Sequence, residues 1–294
     1  MTATSFDWIL RAADLAQAEG GGAPVLWERL TWTGVRSLAA SGHDLAIVPI
    51  GATEQHGPHL PLGTDNAIAT AACAYASART GAPMLPCMSY AVSIGHTRKW
   101  PGTVSMTHET FATALREIVA WLIPHGWRKL LLVNSHFGND AVLRVAVDRL
   151  RTDFLGELQI NAVNTFAITP EVWASFTADG GDIHANRAET DLMLCIDPES
   201  VDRDAMKRVD DPDRTGGTVF SYPVALTSTN GITGTPSEAD ADRGRALLTQ
   251  IGEALSAKIE AGRSEAPPLP LDFSLEAASV PPSTRPAVQE GVVQ

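Results

Sequence analysis

Residues 128–155, RKLLLVNSHFGNDAVLRVAVDRLRTDFL, decide the fold. Their first part is an apolar run too short for a helix, which predicts a buried strand over 128–136. Gly138 lets the chain turn sharply. Leu143, Val147 and Leu150 then recur at helical spacing, predicting a helix over 139–155. A strand that is apolar throughout, followed at once by an amphipathic helix, is half of a βαβ unit.

The same alternation extends in both directions. DLAIVPIG (44–51) reads as a buried strand, and NAIATAACAYASART (66–80) as a helix ended by Gly81. APMLPCMSYAV (82–92) is extended. THETFATALREIVAWLIPHG (107–126) places Phe111, Leu115, Ile118, Val119 and Leu122 on one helical face, with Pro124 and Gly126 closing it. LQINAVNTF (158–166) is a further strand, and residues 238–262 form the last long helix. Strands alternating with helices of this length predict an α/β fold, a three-layer α/β/α sandwich with a mainly parallel central sheet. EGGGAP (19–24) reads as a flexible joint, so residues 1–26 are expected to form an N-terminal extension to a domain over 27–262. Residues 263–294 are Pro-rich and aperiodic, which predicts an extended tail.

Composition removes several function classes. A formal net charge of −12 argues against a nucleic-acid partner, because phosphate binding needs a basic surface. No apolar run approaches the roughly 18–20 residues that span a bilayer. Cys73, Cys87 and Cys195 are scattered and odd in number, which points to a reducing cytoplasm and away from a thiolate metal site. No G-x-G-x-x-G follows the first strand, which counts against a dinucleotide site.

In open parallel sheets, ligands bind beyond the carboxyl ends of the strands. Two polar clusters fall there: EQHGPHLPLGTD (54–65) and the NSHFGND ending the second strand (134–140). Glu54 and His56, two apart in an extended segment, point to the same side. Asp65 precedes a helix, where it reads as an N-cap that is also free to bind a metal. His59, flanked by Pro58 and Leu60-Pro61, reads as a hydrogen-bonding support. His136 ends the apolar strand on the same face as Asn134, and the turn at Gly138 brings the Asn139 amide near the strand ends. A third cluster, GGDIHANRAETDLMLCI (180–196), predicts a buried helix from near Ala185, with His184 in the preceding loop. Glu189 on that helix needs a partner, either a cation or the competing Arg187. His96 in SIGHTRKW (93–100) is a candidate pocket residue.

These residues form an oxygen and nitrogen donor set: Glu54, His56, Asp65, His136 and Glu189. Such donors suit Zn²⁺, Mn²⁺ or Fe²⁺. Three carboxylates and a bridging hydroxide balance two divalent ions, which favours two metals bridged by Asp65.

In chain order, VPIGATEQHGPHLPLGTDNAIA, KWPGTVSM, HGWRKLLLVNSHFGN, HANRAETDLML and NGITGTP resemble the successive signatures of the creatininase (creatinine amidohydrolase) family. The resemblance runs from about Trp27 to about Gly262. It implies a three-layer α/β fold, a hexamer and a two-metal hydrolytic site acting on a small molecule. Glu54 and His136 would hold one metal and His56 the other, with Asp65 between them. The family's H-x-E glutamate is Gly138 here, so Glu189 would supply that carboxylate. His184 would protonate the leaving nitrogen. Phe137, Gly138, Asn139 and Trp173 are expected near the substrate or supporting the residues that hold it, and Asp191 stands where the family usually has Ser. The implied chemistry is attack of a metal-bridging hydroxide on an amide, cyclic amide or formamide. Family members that trim a cofactor-precursor peptide or open an inosose ring mark the alternatives, as does a non-catalytic assembly module.

Overall fold

The computed structural model describes residues 5–271, so most of the predicted tail, residues 272–294, lies outside the described residues. Three parallel strands form its centre: β1 (Leu45–Ile50), β2 (Lys129–Asn134) and β3 (Gln159–Asn164), in that spatial order. Ile50, Asn134 and Asn164 stand side by side, so all three carboxyl ends meet at one edge. Beyond β1, Met84 and Met88 bridge in parallel to Ile47 and Ile50. Pro83 and Pro86 lack the N–H groups of a regular ladder, so this segment stays extended without becoming a full strand.

The described helices are α1 (Ser5–Ala18), α2 (Trp32–Ala40), α3 (Thr64–Thr80), α4 (His108–Leu122) and α5 (Asp140–Asp153). They continue with α6 (Pro170–Phe176), α7 (Arg187–Ile196), α8 (Arg203–Met206), α9 (Val224–Thr227) and α10 (Ala241–Ser264). Strand periodicity splits the core in two. Leu45, Ile47 and Val133 pack with α1, α3, α7 and α10 on one face. Ala46, Val48, Ile50, Leu130 and Leu132 pack with α4 and α5 on the other. Each fully buried Phe, Leu or Ile in these layers contributes about 1.5–3 kcal/mol. The result is the three-layer α/β/α arrangement read from the sequence.

α3 is buried on almost every side, which explains its run of alanines: small side chains let neighbouring helices approach. Gly252 of α10 lies so close that a Cβ there would stand 2.3 Å from the Tyr75 ring.

The N-terminal segment departs from expectation. α1 is part of the core, with Ile9, Ala12 and Ala16 packed against α3. Trp8 Nε1 donates to Asp197 Oδ2 at 3.0 Å. The glycines after α1 are tied down, Gly21 N–H to Ala16 O and Gly22 N–H to Ala78 O, both at 2.8 Å. Glycine composition signals flexibility, but here it permits close backbone contact.

Candidate active site

The loop after β1 carries Glu54, Gln55 and His56 to the carboxyl edge of the sheet. It folds back on itself: His56 bridges antiparallel to Leu60, Gly57 turns with φ +65°, and Glu54 N–H donates to Leu62 O. These contacts tie the 54–65 loop to itself. The N-cap of α3 is Gly63, so Asp65 is the second residue of the helix and not its cap, which corrects the N-cap expectation by two residues.

Five side chains converge. His136 Nδ1 lies 3.4 Å from Glu54 Oε1 and 3.2 Å from Asp65 Oδ2. His56 Nε2 lies 3.4 Å from Asp65 Oδ1, and His184 Nδ1 lies 3.4 Å from Glu54 Oε1. Glu54, His56 and Asp65 are at most 1% exposed. Burial works against charge on His56, but the Asp65 carboxylate, then Glu189 and Glu54, raise its pKa to about 10. Burial likewise opposes the charge on His136, and Glu54 and Asp65 lift it to about 9. Asp65 resists burial through His56 and His136 and stays well below the usual carboxylate range. Burial, with Asp65 and Glu54 adding to it, pushes Glu189 up to about 7 against the pull of His56.

The atoms that would ligate are the ones left without hydrogen bonds. Glu54 Oε1 and Oε2, His56 Nε2 and Asp65 Oδ2 are buried and unpartnered, because the contacts above lack hydrogen-bond geometry. Orphaned buried acceptors at this density are costly unless a ligand completes them. Glu54, His56 and Asp65 each bring one donor atom within 4.8 Å of the others, and so do Glu54, His96 and His184. The donor set fits divalent ions.

The supports are specific. His56 Nδ1 donates to the Glu54 carbonyl at 3.2 Å, which directs Nε2 at Asp65. His136 Nε2 faces Val92 O at 3.0 Å and Ser93 Oγ at 3.3 Å, directing Nδ1 inward. Gln55, which the sequence reading passed over, links three neighbours: its amide nitrogen is 3.0 Å from His96 Nδ1, 2.8 Å from His184 Nε2 and 3.2 Å from Gly231 O. Two amide hydrogens cannot serve three acceptors. His184 Nε2 also faces Gln55 O at 2.9 Å, so it takes the donor role and leaves Nδ1 with a lone pair toward Glu54.

A cavity of about 310 Å³ opens over this cluster, lined by Glu54, Asp65, His96, His136, Phe137, Gly138, Asp182, His184, Glu189 and Tyr222, among others. His96 is thus a pocket residue. His56 lies outside the lining. His59 is buried against α7, with Nε2 2.9 Å from Thr190 Oγ1. Burial and nearby His56 lower its pKa to about 4. Gly138 is required: a Cβ there would stand 2.5 Å from His136 Nε2 and 2.8 Å from Val92 O.

Other residues lie away from the cavity. Asn139 is fully buried and lines no part of the cavity. It clamps the strand ends through Gly51 O and Asn134 Oδ1, and accepts from Val92 N–H. Trp173 on α6 is likewise absent from the lining. Asp191 turns away toward α10, where Arg243 Nε reaches it at 2.5 Å, because two residues on a helix separate it from Glu189 by about 200°. Arg187 pairs with Glu238, so it does not compete for Glu189. α7 begins at Arg187, two residues later than expected, and Asn186 and Glu189 form a capping box. The N-x-x-E spacing was the missed signal, and it gives Glu189 one partner, Asn186 N–H at 3.3 Å. His184 lies in the preceding loop, as read. Ala185 between them has φ +49°, a strained turn costing about 1–2 kcal/mol that aims His184 into the cavity.

A buried carboxylate–histidine cluster beyond the carboxyl ends of a parallel sheet, under a small cavity, defines a metal-binding hydrolase centre. The family described as Creatininase (Creatinine amidohydrolase) matches residues 28–259. The chain is 29% identical to the creatinine amidohydrolase of Pseudomonas putida, over 81% of this chain and 96% of that protein. It is 33% identical to the mycofactocin precursor peptide peptidase of Mycobacterium tuberculosis (strain H37Rv), over 70% of this chain and 80% of that protein. Two solved structures, a creatininase mutant described as Zn-Zn type and a creatininase described as Mn, each superpose with a TM-score of 0.71 at 26% identity. Each covers 82% of this chain, and 99% and 100% of the respective structure is matched. The chain belongs to the creatininase family and is a hydrolase of amidohydrolase type.

Proposed function

We propose that this protein hydrolyses a C–N bond of amide, cyclic amide or formamide type in a small molecule, using two divalent metal ions per chain. The convergence of four buried, unpartnered ligating atoms from Glu54, His56 and Asp65 carries the reading. Glu54, Asp65 and His136 would hold one ion, and His56, Asp65 and Glu189 the other. Ions bound there supply Lewis-acid polarisation of the carbonyl and an acidified water.

The chain's own residues handle the proton. Burial, the largest influence, drives the His184 pKa well down and favours its neutral form. The expected protonating role therefore needs a first step in which Nδ1 accepts a proton from the attacking water. The same atom then delivers that proton to the leaving nitrogen. His96, with its ring centroid 4.2 Å from that of His184, fixes the imidazole from one side. Phe137 and Gly138 leave room for the substrate at the cavity wall.

Zn²⁺ is the ion of choice, with Mn²⁺ or Fe²⁺ as substitutes that the same donors accept. A cytoplasmic location agrees with three unpaired cysteines. A homo-oligomer, a hexamer by resemblance, agrees with large apolar side chains left in solvent, such as Trp32 and Trp121. The metal-binding unit is residues 27–262 with α1 docked on it.

The test combines metal analysis with hydrolysis of cyclic amides, formamides and short peptides. Purified protein should carry two transition ions per chain, and His56→Ala and Asp65→Ala should each lose metal and activity together. Unchanged metal content in both variants would overturn the assignment.

A further inference from the structure

We infer that the cavity selects amides bearing a cationic head, received by Asp182 beside the Phe137 and Tyr222 rings, and turns away amides with an anionic head. The inference rests on the hydrolase reading for the reaction and adds the charge class of the substrate.

The cavity's carboxylates are Glu54, Asp65, Glu189 and Asp182. Two divalent ions with a bound hydroxide would balance the first three. Asp182 remains. Its Oδ2 accepts from Thr227 Oγ1 at 3.0 Å, and no protein donor among the described residues reaches its Oδ1. The neighbouring acids differ in this respect. Asp211 is saturated by Arg214, Ser228 and Thr229, and Asp213 by Gly181 N–H and both donors of Thr215. Asp213 also accepts from Asp182 N–H at 3.3 Å, so a second negative charge stands close behind. Partial burial, then Asp213, raises the Asp182 pKa, the mark of a carboxylate lacking a counter-charge.

No protein cation fills the deficit. Among the described residues, no Lys or Arg lines the cavity, and its basic members are histidines. Lys99 is spent on the carbonyls of Ala225 at 3.2 Å and Ser228 at 2.6 Å, where it ties the 93–100 loop to α9. Arg214 is spent on Asp211. Phe137 and Tyr222 line the cavity with about half their surface exposed, and aromatic faces attract cations. An ammonium head would gain a charge-assisted bond at Oδ1. An anionic head would meet Asp182 with no compensating cation.

Three matched amides test this on zinc-loaded protein: 4-(aminomethyl)benzamide, benzamide and 4-carbamoylbenzenesulfonate. Binding is read by isothermal titration and ammonia release is followed in parallel. The cationic amide should bind about tenfold tighter than benzamide and the sulfonate about tenfold weaker, a size set by one partly solvated charge-assisted contact. Asp182→Asn keeps an acceptor for Thr227 and should bring the three affinities within about threefold of one another. Equal or tighter binding of the sulfonate by wild type, retention of the cationic preference in Asp182→Asn, or no binding by any of the three overturns the inference. Charge-selective binding without ammonia release leaves it standing and counts against the amide reading instead.

Discussion

Gly138→Ala tests how the site is assembled. The added Cβ would sit 2.5 Å from His136 Nε2 and 2.8 Å from Val92 O. Both neighbours are constrained. The His136 ring is 4% exposed and held on one side by Val92 O and on the other by Glu54 and Asp65, and Val92 O is backbone. The ring must therefore move, and its Nδ1 with it. Forcing one methyl into packing of this kind costs about 1–3 kcal/mol. At this chain length each kcal/mol lowers Tm by about 2–4 °C. Losing the orientation of one ligating histidine should weaken metal binding about 10–100-fold. Gly138→Glu, which restores the family's H-x-E pattern, carries the same Cβ and should be no better. Thermal melts of the metal-free protein and zinc competition against a chromogenic chelator read the two effects separately. An alanine variant with wild-type Tm and wild-type zinc affinity would refute the steric account of Gly138.

Two further outcomes follow from the acids beside the site. Burial would raise the Asp211 pKa, but Arg214, Thr229 and Ser228 hold it down to about 2. A depressed carboxylate stabilises the fold above its unfolded value and loses that effect as pH falls through the folded one, so Asp211→Asn should cost about 2 kcal/mol at pH 7 and about half that at pH 3 by urea denaturation. A difference that does not shrink between those pH values would contradict the assigned bonds. Arg243→Ala strands the buried Asp191 carboxylate and should cost about 1–3 kcal/mol, reduced by the half-exposed arginine, with metal content unchanged. Loss of metal in that variant would return Asp191 to the site.

The sequence alone determined the layers and brought most of the carboxylate–histidine cluster to notice. Apolar runs of strand length and alanine- or leucine-patterned helices leave few arrangements, because a strand apolar on both faces must be covered on both. Glu54, His56, Asp65 and His136 were legible because each sits at a strand end or helix start, where local geometry already aims the side chain. Only tertiary structure decided the rest. Gln55 lay unread inside the most informative motif, since its partners His96, His184 and Gly231 come from segments 41 to 176 residues away. α1 looked detached because nothing local shows that its apolar side fits α3. Trp173 is absent from the cavity lining, and Asn139 spends its amide holding strand ends together. Periodicity fixes which face of an element is apolar, but which distant face meets it depends on shape complementarity across the whole core.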